Sequence, residues 1–196
     1  MIWELWIKQN ILTGKKRFKT PTGHDYPDWE TVKLKDILNC EISKHDLSDV
    51  DNEKTGKYPF FNYGMIYKKV PWYDMGTDYI ALSIAGNPGD CRLYPRCTSI
   101  NSTQAYLYLK DDVDANIRYI FANVCNINFD KYIQGSTIKG IRWNDIKNET
   151  IPLPCNDEQN KIGDFIGCFA LYSQLMNEEL KLWRLMKKAM LQKLFV

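Results

Sequence analysis

Ile151-Pro152-Leu153-Pro154-Cys155-Asn156-Asp157-Glu158-Gln159-Asn160-Lys161-Ile162 is the stretch on which the reading of this chain turns. A short apolar run ends at two prolines, and a helical pattern takes over at once. From Asp157 to Phe195 there is no proline, and the only glycines, Gly163 and Gly167, fall in the first turns. At about 1.5 Å per residue this predicts a rod of roughly 55–60 Å, against a mean globular helix of about 11–12 residues. Asn156 is expected as the N-cap, with Gln159 three residues on as its capping-box partner.

The rod carries two apolar seams. Steps of four and three pick out Ile162, Ile166, Phe169, Ser173, Met176, Leu180, Trp183, Lys187, Met190 and Leu194, which fits a heptad seam. A neighbouring seam runs through Phe165, Cys168, Tyr172, Leu175, Glu179, Leu182, Met186, Ala189 and Lys193. A lone surface helix needs one stripe. The expectation is that the seam of Ile162, Ile166, Phe169, Met176, Leu180, Trp183 and Met190 takes a second helix while the other packs on the chain's own domain; the alternative is one broad face buried in a single domain.

Upstream, the pattern is mixed. Residues 1–12 read as the end of a helix stopped near Gly14, and residues 13–28 as a polar connector running over a surface. Trp29 to Leu38 fits a short strand and a helical turn, 43–57 a polar loop, and Tyr58 to Val70 strands turning near Asn62-Tyr63-Gly64. Further strands are predicted at Tyr79–Ile84, Cys91–Tyr94 and Thr103–Leu109, a helix at Asp114–Asn126, a loop at Gly135–Gly140 and a last strand at Ile151–Leu153. The fold class expected is α+β: a compact mixed α/β domain over 26–155, a long C-terminal helix over 156–196, and a preceding helix end with connector over 1–25.

Bulk properties bound the function. The 196 residues are 44% hydrophobic and 26% charged, ordinary for a globular protein. No apolar run approaches the roughly 20 residues of a membrane span, and the short apolar start has no basic flank or cleavage pattern, so neither membrane anchor nor signal peptide is predicted. The six cysteines form no C-x-x-C pair, and His24 and His45 stand at no ligand-like spacing. Buried or half-buried free thiols and a cytoplasmic location are expected. Residues 1–20 carry five Lys/Arg against one Glu, and residues 178–196 five against two; with an overall net charge of +2, the remaining 157 residues are net −5. A nucleic-acid role therefore rests on a local basic face, since such domains are usually basic throughout.

Catalytic constellations are missing. Asn87-Pro88-Gly89-Asp90 lacks the second proline and the aromatic of an amino-methyltransferase signature, and it reads as a turn. Glu179-Leu180-Lys181 lies on the long helix and reads as a solvated face. No Walker loop or G-x-S-x-G elbow occurs. Recognition chemistry is better represented. Tyr63, Lys68 and Lys69 stand near a turn, and Arg92 and Arg96 flank a strand end. Ser102 and Thr103 lie in the polar run Asn101–Gln104; Gln134, Ser136 and Thr137 lie in a second polar loop beside Lys139 and Arg142. Arg and Lys can read guanine, Asn and Gln adenine, while Ser/Thr hydroxyls and amides hold phosphates.

These pieces, in their order, resemble the DNA specificity subunit of type I restriction-modification systems. The resemblance covers roughly residues 26–195. It rests on Tyr26-Pro27-Asp28-Trp29-Glu30 with Val32-Lys33-Leu34 and Asp36-Ile37, on Gly56-Lys57-Tyr58-Pro59-Phe60, and on Ile84 to Gly89 before Cys91-Arg92. It continues in Gly135-Ser136-Thr137-Ile138-Lys139-Gly140-Ile141, in Ile151-Pro152-Leu153-Pro154 with Glu158-Gln159 and Ile162, and in Lys188 to Phe195. The resemblance implies a single target-recognition domain followed by a coiled-coil spacer helix that also docks a methyltransferase subunit, this chain being similar to the second half of a two-domain subunit. It implies a non-catalytic role: reading one half of a bipartite duplex DNA target, with a second copy or second specificity half paired along the helix and a restriction subunit as a further partner. No cofactor is expected on this chain; S-adenosylmethionine, ATP and Mg belong to the partner subunits. The family's recognition part is highly variable, so no base-reading residue carries over. Two other classes stay open: a coiled-coil adaptor or decoy without DNA readout, and a small nuclease or methyltransferase.

Overall fold

The computed structural model describes residues 2–135 and 139–194 and, within them, side chains from residue 5 to residue 192. The elements run α1 (Ile2–Asn10), β1 (Glu30–Lys33), α2 (Leu34–Ile37), β2 (Leu38–Ile42), α3 (Leu47–Asp51), β3 (Tyr58–Asn62) and β4 (Met65–Val70). They continue with β5 (Tyr79–Ser83), β6 (Cys91–Tyr94), β7 (Ser99–Ile100), β8 (Gln104–Leu109), α4 (Ile117–Val124), α5 (Trp143–Ile146), β9 (Thr150–Leu153) and α6 (Asn156–Leu194). The centre is an antiparallel sheet in the order β2-β8-β5-β6. β4-β3-β7 form a second sheet, in which β3 and β7 are parallel. β1 pairs antiparallel with β9, Val32 opposite Ile151, so the first and last strands meet just before α6 leaves.

The central sheet is covered on both faces. Ile80, Leu82 and Leu107 point into the main core with Leu38, Tyr119, Ile120, Val124, Ile146, Ile151 and Ile162. The alternate residues Tyr79, Ala81 and Tyr106 pack with Tyr94 and Ile100 on the other face. A third cluster, Val50, Phe60 and Val70, lies under the β3–β4 hairpin. Each such side chain contributes about 1.5–3 kcal/mol when fully buried. This explains why all five residues of β5 are buried. A strand covered on both faces needs an apolar run, whereas a half-buried strand alternates.

The N-terminal segment is part of this core. Ile7, Ile11 and Leu12 are buried in the main cluster, and Phe18 packs edge-on against Phe165 of α6 at 5.7 Å. The connector runs over the surface and is pinned to the domain at Arg17, Phe18 and Tyr26. Its strongest pin is Arg17. The guanidinium donates to both carboxylate oxygens of Glu158, at 3.2 and 2.7 Å, and to the carbonyls of Tyr26 and Pro27. Trp29 Nε1 donates to the same carboxylate at 2.8 Å. Glu158 itself is 0% exposed.

The start of α6 differs from the capping box expected. Asn156 is already the helix's first residue, and its amide donates to Asp114 at 2.6 Å. Gln159 donates to the Pro154 carbonyl and accepts from the Asn116 amide. The amides of Glu158 and Gln159 bond instead to the Cys155 carbonyl. The polar side chains of the first turn are drawn away from capping because the α4 N-terminus, closed by Asn116, sits against them.

The two seams are divided by length along the rod, not by face around it. Ile162 is core, and Ile166 and Phe169 are half-buried against the same cluster, so these three members of the expected partner seam are used by the chain's own domain. From Leu171 to Gln192 every residue except Ser173 is exposed. Met176, Leu180, Trp183 and Met190 of one seam and Tyr172, Leu175, Leu182 and Met186 of the other all face solvent. The polar loop read over 43–57 contains α3, whose capping box of Asp46 and Asp49 is complete. Cys125 and Cys168 are exposed, against the expectation of buried or half-buried thiols.

Removing one partner of a buried ion pair costs about 3–5 kcal/mol. Glu158→Gln keeps the shape but turns an amide donor toward the Arg17 and Trp29 donors. It should lower the unfolding free energy by on the order of 3 kcal/mol, seen as a lower urea midpoint at unchanged slope. A midpoint equal to that of the wild type would show that the pair does not hold these segments.

Candidate nucleic-acid interface

Several sequence-predicted residues come together at one end of the central sheet because three segments are laced there by backbone bonds and a fourth by a side chain. The Ile84 and Ala85 amides both donate to the Thr103 carbonyl, at 2.9 and 3.2 Å. The Ile141 amide donates to the Ile84 carbonyl at 2.9 Å, and Ala85 bridges Gly140. Gln134 and Gly140 exchange two bonds of 2.9 Å. The β3–β4 turn is tied in by a side chain: the Tyr63 hydroxyl lies 3.0 Å from the Ala85 carbonyl and 2.8 Å from Thr103 Oγ1.

This lacing explains local sequence. Tyr63 has φ +45° and Gly64 φ +93°, as a tight two-residue hairpin turn requires. Gly86 has φ +77°, and a Cβ there would stand 2.5 Å from the Tyr63 hydroxyl. Gly86 is therefore needed both for its backbone and for the tyrosine that crosses it.

The twelve candidate residues sort by what holds them. Tyr63 and Thr103 hold loops together. Ser102 is tied through its amide to the His45 carbonyl and through its hydroxyl to Asn101. Lys68 is turned inward: its ammonium donates to the carbonyls of Val50, Asp51 and Glu53 at 2.9, 3.0 and 2.7 Å. Three protons meet three acceptors, so it closes the C-terminal end of α3 and is spent there. Lys69 is exposed on β4, toward the Tyr58 end of the hairpin and away from its turn. Arg96 lies past the Tyr94 end of β6, its amide held by Asp78, at the opposite end of the sheet from the laced loops. Arg92, Gln134, Lys139 and Arg142 are exposed at or beside the laced loops. Gln134, Gly135, Gly140, Ile141 and Arg142 line a groove of about 310 Å³. Ser136 and Thr137 lie outside the described residues.

The polar run Asn101–Gln104 is only partly available, because Gln104 is fully buried and Asn101 nearly so. Gln104 sits directly across the ladder from Ser83, and neither side chain has a hydrogen-bond partner among the described residues. Sequence reading also passed over Met65 and Ile66, which are 74% and 54% exposed beside the turn. It passed over Asp90 too, which accepts from Arg92 Nε at 3.0 Å. The Asn-Pro-Gly turn that carries Asp90 was legible, but its use was not. The stem before the Gln134 loop is clamped by Glu149, which accepts from Lys131 Nζ at 2.7 Å and from the Tyr132 hydroxyl. Those hydrogen bonds hold the Glu149 carboxyl below its ordinary value of 4.5.

The profile of the type I restriction modification DNA specificity domain matches residues 26–182. The specificity subunit of the type I restriction enzyme EcoDI of Escherichia coli is 27% identical over 141 residues, covering 70% of this chain and 30% of that protein. The specificity subunit of the type I enzyme MjaVIII of Methanocaldococcus jannaschii is 25% identical over 193 residues, covering 92% of this chain and 45% of that one. The chain thus spans less than half the length of these curated relatives. Among solved structures, the type I restriction-modification S subunit from M. genitalium aligns with a TM-score of 0.63 at 18% identity, over 77% of this chain and 41% of that one. At that identity the likeness shows the fold alone.

Tyr63→Phe should cost about 1–2 kcal/mol, and Gly86→Ala at least as much, both read as lower thermal midpoints. An unchanged midpoint in both variants would mean the turn is held otherwise. For the clamp, a depressed carboxyl stabilises the fold above its unfolded-state value and loses that contribution as pH falls through the folded one. Wild type should therefore lose stability relative to Glu149→Gln as pH is lowered from about 4.5. Parallel pH curves for the two proteins would remove the clamp.

Proposed function

From the fact that the chain belongs to the type I restriction modification DNA specificity domain family, we propose that it is a DNA-reading subunit covering one half of a bipartite duplex target. The observation that carries this is the convergence of loops at one end of the sheet, where Arg92, Lys139 and Arg142 are exposed beside polar groups. Bonded loops on a sheet keep such groups at fixed spacing, which base readout requires. The mobile cations suited to phosphates can sit around them.

The second half of the proposal concerns the rod. The exposed length of α6 presents Tyr172, Met176, Leu180, Trp183, Met186 and Met190 to solvent, and contiguous apolar surface of this kind marks an interaction site. A second specificity half would pair along it, and two related halves would make the preferred DNA site an interrupted palindrome. A methyltransferase subunit would dock on the same scaffold and a restriction subunit could join it. S-adenosylmethionine, ATP and Mg would be bound by those partners. This chain would supply recognition and no chemistry.

A second reading is favoured by one observation: the region between the basic ends is net −5, and Lys68 is used inside the fold. On that reading the chain is an assembly module that pairs through α6 without choosing a sequence. The two readings separate in one experiment. The purified chain is sized by light scattering, then used with and without a type I methyltransferase subunit to select from a random duplex pool.

The reading predicts a dimer that enriches an interrupted palindrome, most strongly with the methyltransferase. Met176→Asp with Trp183→Asp should abolish the dimer while leaving the thermal midpoint of the domain unchanged. Enrichment of no sequence in either arm would leave only the assembly module. A dimer that survives both aspartates would move the interface off this helix.

A further inference from the structure

The site described above contains three exposed cations near the laced loops, and they are held differently. Lys139 and Arg142 have no side-chain partner that orients them among the described residues. Arg92 has two. Its Nε donates to Asp90 Oδ2 at 3.0 Å. Its guanidinium also packs against the β3–β4 turn, where a Cβ on Gly64 would stand 2.5 Å from Nη1 and 2.7 Å from Cζ. Gly64 itself is called for by its φ of +93°, and its lack of a side chain leaves room for the guanidinium.

The holder is itself held. Asp90 closes the turn Asn87-Pro88-Gly89-Asp90, its amide donating to the Asn87 carbonyl and its carbonyl accepting from the Ser83 amide at 2.8 Å. Arg92 stands on β6, the edge strand of the central sheet, opposite Ala81. The turn it packs on is the one Tyr63 ties to Ala85 and Thr103. A rigid strand, a closed turn and a bare glycine thus fix one guanidinium, with Nε occupied and the Nη1–Nη2 end making no hydrogen bond among the described residues.

We propose that Arg92 reads a guanine in the major groove, with Asp90 as the residue that positions it; this rests on the DNA-reading role proposed above. The guanine edge offers two acceptors, O6 and N7, and the free end of an arginine fork offers two parallel donors that match them. A lysine is a point charge and cannot replace that fork. A guanidinium pinned at Nε and along one face loses little further freedom on binding, which suits base readout. Lys139 and Arg142, free to follow the backbone, suit phosphates.

The test uses the full chain with a type I methyltransferase subunit and a duplex selected by wild type from a random pool. Each guanine of that duplex is then replaced in turn by 7-deazaguanine, which keeps O6 and lacks the N7 acceptor. One guanine per half-site should respond, with binding weakened roughly tenfold. Arg92→Ala and Asp90→Ala should each flatten base preference at that position and leave every other position as it was. The 7-deaza duplex should cost Arg92→Ala nothing more. Both residues are at the surface, and thermal midpoints equal to that of wild type verify folding.

The assignment is overturned if Arg92→Ala selects the same bases at every position, or if no guanine responds to the loss of N7. It is also overturned if Arg92→Ala weakens all sequences equally with a shallower salt dependence, the mark of a phosphate contact. If wild type selects no sequence at all, the DNA-reading role falls and this assignment with it. That outcome is read on the wild type alone, so the two failures are distinct.

Discussion

One buried carboxylate sets the geometry on which the rest depends. Glu158 has no exposed surface, yet it accepts from Arg17 twice and from Trp29 once. A charge taken out of water must be paired and hydrogen-bonded, or the fold bears the full desolvation cost. The three segments that meet at it are the connector after α1, the lead into β1 and the first turn of α6. Because β1 also pairs with β9, the point where the rod leaves is fixed by a sheet and by an ion pair at once. The direction of so long a helix depends on its root, since a small error in its starting angle grows along nearly 60 Å.

Beyond the root the balance changes. The first turns of α6 bury Ile162 and lean Ile166 and Phe169 on the core, and from Leu171 the helix leaves the domain. Its apolar stripes then run outward with nothing of this chain over them among the described residues. Helices in proteins draw most of their stability from tertiary packing of an apolar face. A long helix with two bare stripes is therefore the surface a second helix would complete, in keeping with the assembly proposed for it.

At the loop end of the central sheet, the loops are held by bonds between one another. Ile84 and Ala85 are the hub, bonded to Thr103, Gly140, Ile141 and Tyr63. Two glycines with positive φ leave room for side chains that cross them: Gly86 for the Tyr63 hydroxyl and Gly64 for the Arg92 guanidinium. The loops can thus differ in side chains at their tips while their bases stay laced. A recognition surface needs that combination, with fixed spacing and free chemistry.

Much of this was legible in the chain itself. Periodicity carried the long helix, and turn chemistry carried the Tyr63-Gly64 hairpin. Apolar runs carried β5, β6, β8 and β9, and the order of motifs carried the family. β2 and α3 were missed for local reasons: β2 follows α2 with no turn residue between them, and α3 lies in a polar stretch with no apolar run to mark it. The uses of side chains were not legible either. Lys68 and Arg92 look alike as surface cations, yet one is consumed by three carbonyls and the other is held out by Asp90 and Gly64. Asn156 and Gln159 satisfy a capping pattern, yet both are diverted to partners about forty residues away around Asp114 and Asn116 or, for the amide of Gln159, to Pro154. Local pattern is determined by residues near in sequence, so the sequence alone settled the α+β class and the rod. Which polar groups remain free is decided by neighbours distant in sequence, and only the tertiary structure brings those into contact.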